Sequence, residues 1–123
     1  MNAINWFDIP MTESGRAREF YSHVLGTELA VVSFGEQDMI LLPYEQGKGV
    51  GGAITKDPNR QPSGQGTLVY FAAQNFPGGL DGCVSRVAAA GGAVVVPRTN
   101  IGEHGFIALV ADSEGNTIGF HEE

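Results

Sequence analysis

The chain has 123 residues, of which 42% are hydrophobic, enough for one domain with its own core and too few for two independent domains. Its 14 acidic and 7 basic residues give a net charge of −7, which argues against nucleic acid or an anionic membrane and favours neutral or cationic partners. No apolar run approaches the roughly 20 residues of a membrane span, and the first eleven residues lack the pattern of a signal peptide. We therefore expect a cytoplasmic protein with neither a nucleic-acid nor a membrane partner.

The first half of the chain predicts one strand, one helix and three further strands. After a strand-like run at 4–9, apolar residues at helical spacing predict a helix over 14–25 with one buried face. Thr12 or Ser14 can cap its start, and Gly26 marks its end. The buried face comprises Ala17, Phe20, Tyr21, Val24 and Leu25. The three following strands are expected at 29–34, 39–42 and about 50–55.

The second half repeats this order. The same apolar steps recur and predict a second helix, which Gly91 and Gly92 end. Its apolar positions are Leu80, Cys83, Val84, Val87 and Ala88. Cys83, the one cysteine, is expected to be a small buried hydrophobic residue, and it cannot form an intramolecular disulfide. Strands are expected at 67–73 before this helix and at 93–96, 106–111 and 117–121 after it.

The repeat predicts an α+β domain over 1–123, built from two βαβββ modules. The modules are about 1–56 and about 67–123, and the Pro-, Gly- and Ser-containing segment 57–66 is the linker. We expect a curled mixed β-sheet trough with the helices outside. The glycine-rich strand 49–53 indicates either a place with little room for side chains or a bulged edge strand.

The segment 112–116 (DSEGN) is typical of a hairpin turn. Asp112 and Ser113 suit its start, and Gly115 suits the left-handed position that twists the two flanking strands together. The turn is therefore expected to set which side chains of the last strand face inward.

Short motifs, in this order, resemble the vicinal oxygen chelate superfamily, which includes glyoxalase I, bleomycin resistance proteins and extradiol dioxygenases. The matching segments are 7–10 (FDIP), 16–21 (RAREFY), 24–26 (VLG), 49–53 (GVGGA), 89–92 (AAGG), 105–109 (GFIAL) and 112–116 (DSEGN), followed by Ile118 and Gly119. The resemblance implies the paired βαβββ fold and usually a homodimer. It leaves the reaction open, because this fold hosts unrelated activities.

Metal-using members of the family take His or Glu from the inward faces of the strands. Here Trp6 occupies the first such place (Asn5 if the register shifts by one), Thr67 the third and Gly119 the last. The fourth strand has no Asp, Glu or His between Glu45 and Asp57. We therefore expect no bound metal and no cofactor.

Two histidines leave alternatives open. His121 lies two residues beyond Gly119 on the same strand face, so with Asp8 it could form a weak two-ligand site or an acid–base pair; the alternative is a frayed strand end. His104 lies in the polar segment 98–105, which could close over the cavity or be an ordinary exposed loop.

The most direct functional hypothesis is metal-free binding of a small, flat, neutral or cationic molecule. The proposed ligand-binding set is Trp6, Asp8, Thr67, Gly119 and His121. Trp6 would be a buried stacking wall across from the strand that carries Gly119. The alternative is a glyoxalase-type lyase or isomerase (lactoylglutathione lyase-like), or a dioxygenase with an atypical metal site, with Asp8 and His121 as candidate catalytic residues.

Overall fold

Each half of the chain folds as one strand, one helix and three strands in the computed structural model, which describes residues 2–123. The first half contains β1 (Trp6–Pro10), α1 (Ser14–Leu25), β2 (Val31–Phe34), β3 (Gln37–Leu41) and β4 (Gly51–Thr55). The second half contains β5 (Tyr70–Ala72), α2 (Gly79–Ser85), β6 (Ala93–Asn100), β7 (Phe106–Ala111) and β8 (Thr117–Glu122). The α+β class and the two βαβββ units are confirmed.

The strands form two separate four-stranded mixed sheets. The first has the order β1-β4-β3-β2 and the second has the order β5-β8-β7-β6. In each sheet the first strand runs parallel to the fourth, and the other pairs are antiparallel. The two sheets therefore repeat one topology, but they do not join into one curled sheet.

One core lies between the two modules. Its buried apolar residues come from both helices and from one face of each sheet, and Cys83 is among them, as expected. The rings of Phe7 and Tyr21, from the first module, lie 6.0 and 6.2 Å from the ring of Phe71 in the second. Because both sheets turn their apolar face to this shared core, their opposite faces point away from it. One chain therefore does not enclose a trough between its own two sheets.

The turn between β7 and β8 joins the modules. Asp112 is buried, and its carboxylate accepts hydrogen bonds from the Tyr21 hydroxyl, the Glu114 amide, and the amide and side-chain nitrogen of Asn116. Asn116 also donates to the carbonyl oxygen of Pro10 at 2.8 Å. Gly115 has a φ of +97°, as the turn pattern predicts. The turn does more than set the strand register, because it holds α1 and β1 of the other module.

Glu114 of the same turn satisfies the start of α1. Its Oε1 accepts hydrogen bonds from the amides of Thr12 and Glu13, both at 2.9 Å, and Arg16 Nε donates to its Oε2 at 2.6 Å. Neither Thr12 nor Ser14 caps the helix with its side chain, so that expectation is wrong. A carboxylate about 100 residues further along the chain supplies the acceptor instead, and it also meets the positive end of the helix dipole.

The ends of α2 and β6 differ most from expectation. The second helix ends at Ser85, and its continuation to 91 consists of turns, although Val87 is buried as the spacing predicts. Ala88 is exposed. The segment 98–105 is only partly a loop, because β6 extends to Asn100. Within residues 2–123, no helix combines the length and apolar character needed to cross a membrane.

Candidate functional site

Two sheet surfaces point away from the core and carry most of the candidate site residues. We call first outer face the side of the first sheet that carries Trp6, Asp8 and Leu41, and second outer face the side of the second sheet that carries Tyr70 and His121. The strand pairing sets these groups, because residues directly opposite one another share a face. Phe7 and Ile9 point into the core, so the predicted alternation along β1 is confirmed.

The first outer face presents an indole and a phenol over a glycine. Trp6 pairs with Gly51 of β4. The ring of Tyr44 meets the indole edge to face, with a centroid distance of 5.8 Å and an interplanar angle of 81°. A side chain at Gly51 would lie 2.6 Å from Tyr44 and 2.9 Å from Trp6, so the glycine leaves room for both rings. Asp8 accepts a hydrogen bond from Trp6 Nε1 at 3.0 Å.

The second outer face repeats the aromatic-over-glycine pair. Tyr70 pairs with Gly119 of β8, and a side chain at Gly119 would clash with the Tyr70 ring. The glycine of each sheet therefore makes room for a ring of the same chain. The space above Gly119 was predicted to hold a flat ligand. The Tyr70 ring occupies it instead.

An apolar cavity lies on the second outer face. Its volume is about 510 Å³, and its lining is predominantly apolar. The lining residues are Tyr70, Phe71, Ala72, Ile101, Ile107 and His121. Such a surface can hold an apolar or aromatic group and can offer one imidazole for a hydrogen bond.

His121 lies inside β8, where it pairs with Ile107, and it is not a frayed strand end. Its Nε2 donates a hydrogen bond to the carbonyl oxygen of His104 at 2.6 Å, because a carbonyl oxygen can only accept. This bond holds the segment 101–105 beside His121. Ile101 of the same segment and His121 both line the cavity. His104 contributes its backbone to this contact.

The five predicted ligand-binding residues do not form one site in a single chain. Trp6 and Asp8 lie together on the first outer face, and Gly119 and His121 lie together on the second. Thr67 precedes β5 and lines a separate cavity of about 260 Å³ between the linker and the modules, which Asp8 also borders. Trp6 is 38% exposed, so the expectation of a buried Trp6 is wrong for the single chain. Asp8 and His121 belong to different sheets, and they share neither a hydrogen bond nor either of the two cavities.

The positions that would hold a metal do not fit one. Each sheet offers an aromatic side chain on its first strand and a glycine on its fourth: Trp6 with Gly51, and Tyr70 with Gly119. An indole N–H only donates hydrogen bonds, glycine has no side-chain ligand atom, and the phenol of Tyr70 alone would give a metal ion one side-chain ligand. Throughout residues 2–123, no three His, Cys, Asp or Glu side chains are grouped as metal ligands would be.

Strongly shifted pKa values occur at the junction between the modules. Burial alone would raise the pKa of Glu114, but Arg16 and the amides of Glu13 and Thr12 donate to its carboxylate and lower it to about 2. Burial, together with the negative charge of Asp112, raises the pKa of Tyr21 well above its usual range. These groups contact the core and a helix end, so their shifts reflect structural contacts rather than a reaction site.

Sequence reasoning missed Tyr70 and the contact of Tyr44 with Trp6, and it left open whether Gly51 lies in a place with little room for side chains. It chose Thr67 in the fifth strand, but the parallel pairing of β5 with β8 places Tyr70 opposite Gly119. The internal repeat contains a signal for this residue, because Trp6 and Tyr70 are the aromatic residues that begin β1 and β5. Tyr44 has no such signal, since it lies in a loop whose path depends on the folded sheet.

The paired βαβββ modules define a class of fold that known proteins share. A family model described as "Glyoxalase/Bleomycin resistance protein/Dioxygenase superfamily" matches residues 3–120. The chain belongs to this superfamily, and the resemblance found in its motifs is confirmed.

Individual relatives are more distant. Proteins of Mycobacterium bovis and Mycobacterium tuberculosis, provisionally named glyoxylase CFP32, are 27% identical over 127 residues, which cover 94% of this chain and 43% of those proteins. The chain thus spans less than half the length of these curated relatives.

Solved structures show the same fold. A glyoxalase/bleomycin resistance protein from Albidiferax ferrireducens T118 superposes with a TM-score of 0.71 at 18% identity and 99% coverage of both chains. TnmS3, an antibiotic binding protein from Streptomyces sp. CB03234, superposes with a TM-score of 0.65 at 20% identity, covering 99% of this chain and 96% of that one. At these identities the likeness concerns the fold and not the ligand.

Proposed function

We propose that this protein binds a small, flat, neutral or cationic molecule on its outer faces without a bound metal ion. The observation that carries the proposal is the apolar cavity of about 510 Å³ on the second outer face, with the exposed Tyr70 ring in its wall. An exposed ring beside an apolar cavity suits stacking of a planar ligand, and His121 offers one polar contact that can orient it. The likeness to an antibiotic binding protein is consistent with this use of the fold.

We further propose that two copies complete the site as a homodimer. Large apolar side chains remain exposed on both outer faces: Trp6, Leu41, Tyr44, Tyr70 and Ile101. Because each outer face lies opposite the core, only another molecule can cover it. If the first outer face of one copy covers the second outer face of the other, the ligand would lie between Trp6 and Tyr70.

An enzymatic function has weaker support. Asp8 and His121, the candidate acid and base, lie on different sheets, so one chain does not bring them to one substrate. A glyoxalase-type reaction would need the outer faces of two copies to bring these residues together. Cytoplasmic localisation likewise stays a prediction.

Titration calorimetry with a panel of planar neutral and cationic aromatic compounds tests the binding function. We expect saturable binding that weakens about tenfold when Tyr70→Ala removes the stacking ring. Val94→Ala is the control, because Val94 is exposed on the same sheet but does not line the cavity. Absence of saturable binding across the panel, or equal affinity in the Tyr70 variant, contradicts the proposal.

Analytical ultracentrifugation at micromolar concentration tests the dimer. We expect a mass of twice 13.0 kDa, and a shift toward the monomer when Leu41→Glu places a charge on the first outer face. A monomer mass for the unmodified chain contradicts this part of the proposal.

A further inference from the structure

We propose that Trp6, Tyr44 and Asp8 form a subsite for an alkylammonium group, a tertiary or quaternary amine, which we call the ammonium corner. The proposal rests on the proposed function for the idea that ligands bind on the outer faces. It goes further by naming the chemical class of the group that the first outer face takes. The ammonium corner lies on the first sheet, whereas the apolar cavity lies on the second.

Two exposed rings form the walls of the ammonium corner. The indole of Trp6 and the phenol of Tyr44 meet at 81°, and the two residues are 38% and 47% exposed. The other aromatic contacts among the described residues involve rings of the core cluster or its margin. The face of an aromatic ring attracts a cation, and Trp does so most strongly. Two rings at a steep angle offer two such faces to one rounded cation.

Gly51 permits this arrangement. Any side chain there would come within 2.6 Å of the Tyr44 ring and 2.9 Å of the Trp6 ring, so a larger residue would push the rings apart. The backbone of β4 thereby brings both rings together at one point. The ammonium corner is therefore set by the sheet itself, with the Tyr44 loop adding the second wall.

Asp8 supplies the charge. Its Oδ1 accepts the hydrogen bond from Trp6 Nε1 at 3.0 Å, which holds the indole and keeps the carboxylate beside the ring. Within residues 2–123, Asp8 forms no ion pair with Lys or Arg, and no hydrogen bond to its Oδ2 is found there. An exposed carboxylate beside aromatic rings attracts a cationic ligand and repels an anionic one.

Nearby charges and ligand chemistry favour an alkylammonium group over a metal ion as the bound cation. Lys48, in the loop that follows Tyr44, is paired with Glu45 at 3.1 Å, so the two charges of that loop offset each other. A single carboxylate is too few ligands for a divalent metal ion. An alkylammonium group, in contrast, is weakly hydrated, fits against aromatic faces and needs only one counter-charge.

Choline and its tert-butyl analogue, in which carbon replaces the nitrogen, provide the matched probes. Trp6 is the single tryptophan, so its emission reports directly on the ammonium corner. We expect a saturable emission change with choline, and about tenfold weaker binding of the uncharged analogue.

Two variants sharpen the test. Asp8→Asn keeps an oxygen acceptor for the indole and removes the charge, so choline should bind about tenfold more weakly while the uncharged analogue is unaffected. Asp81→Asn is the control, because Asp81 is another exposed carboxylate, in α2 of the other module. Tyr44→Leu should weaken choline binding while leaving the fold intact, as circular dichroism can verify.

Equal affinity for choline and its uncharged analogue overturns the ammonium corner, as does choline binding that is the same in Asp8→Asn. The absence of any choline response overturns it as well. In each case, saturable binding of a planar compound that depends on Tyr70 would leave the proposed function standing. The loss of both kinds of binding would overturn both proposals.

Discussion

The two helices start in the same way but are held to different degrees. Backbone amides at the start of each helix donate to a glutamate of the second module: two amides before α1 donate to Glu114, and one amide of α2 donates to Glu122. The Glu114 side chain is 0% exposed, whereas that of Glu122 is 23% exposed. The Glu114 carboxylate accepts hydrogen bonds from two backbone amides and the Arg16 guanidinium. The Glu122 carboxylate accepts them from one backbone amide and Arg98.

The two glutamates differ in which module they hold. Glu122 holds a helix of its own module, but Glu114 holds the helix of the other module. The 12-residue α1 therefore depends on the β7–β8 turn, while the 7-residue α2 depends on neighbouring strands. The contact at the start of α2 therefore lies inside its own module, whereas the contact at the start of α1 crosses between the modules.

Removing the buried carboxylate of the turn should have the largest effect on stability. Asp112→Ala leaves the Tyr21 hydroxyl and the Asn116 side chain without their acceptor, and we expect a loss of about 3 kcal/mol in the free energy of unfolding. The control is Asp81→Ala, whose exposed ion pair with Arg98 should contribute about 0.5 kcal/mol or less. Urea unfolding measures both. Similar losses in the two variants would show that the turn does not join the modules.

Exchanging each capping glutamate for glutamine compares the two helix ends directly. Glu114→Gln removes the charge that accepts from Arg16 and the helix amides, and we expect a loss of about 1.5 kcal/mol, limited by solvent screening on the Arg16 side. Glu122→Gln should cost less than half as much, because its side chain is partly exposed and accepts from one amide. The same unfolding assay tests the order of the two values, and a larger loss for Glu122→Gln would reverse our interpretation.

Acid should weaken the junction in a defined range. The pKa of Glu114 is about 2 in the folded protein and 4.5 ordinarily, so the unfolded state takes up the proton first as the pH falls. Its contribution to stability is therefore complete above about pH 4.5 and is lost as the pH falls toward 2. The difference in unfolding free energy between the unmodified chain and Glu114→Gln should shrink across this range. A difference that is independent of pH would contradict the assignment.

The smallest expected effects on stability come from replacing one glycine in each module with alanine. Gly119→Ala should cost about 1 kcal/mol, because the new methyl group must displace the Tyr70 ring, which is exposed and can swing away. Gly15→Ala, in α1 of the first module, should instead stabilise the protein by about 0.5 kcal/mol, because the site is open and helical. Thermal unfolding of both variants gives the signs; a stabilising Gly119→Ala would mean that Tyr70 does not lie over this glycine.

The parts that were predictable are those set by local periodicity. The helix over 14–25 has the bounds that its apolar spacing predicts, and β7 covers 106–111 as expected. The alternation that turns Trp6 and Asp8 away from the core also followed from β1 alone, because side chains of a strand alternate between its two faces. The candidate site was less predictable, since its members come from both sheets and a loop.

By itself, the sequence determined the two βαβββ units, their superfamily and the absence of metal-ligand residue types at the expected strand positions, because each depends on residue type and spacing along one segment. Only the tertiary structure decided that Tyr70 rather than Thr67 faces Gly119, that Tyr44 meets Trp6, and that Asp8 and His121 lie apart. It also decided that Glu114 caps α1. These outcomes depend on strand register and on how two modules share one core, and the free energy that selects them comes from contacts between residues far apart in the chain.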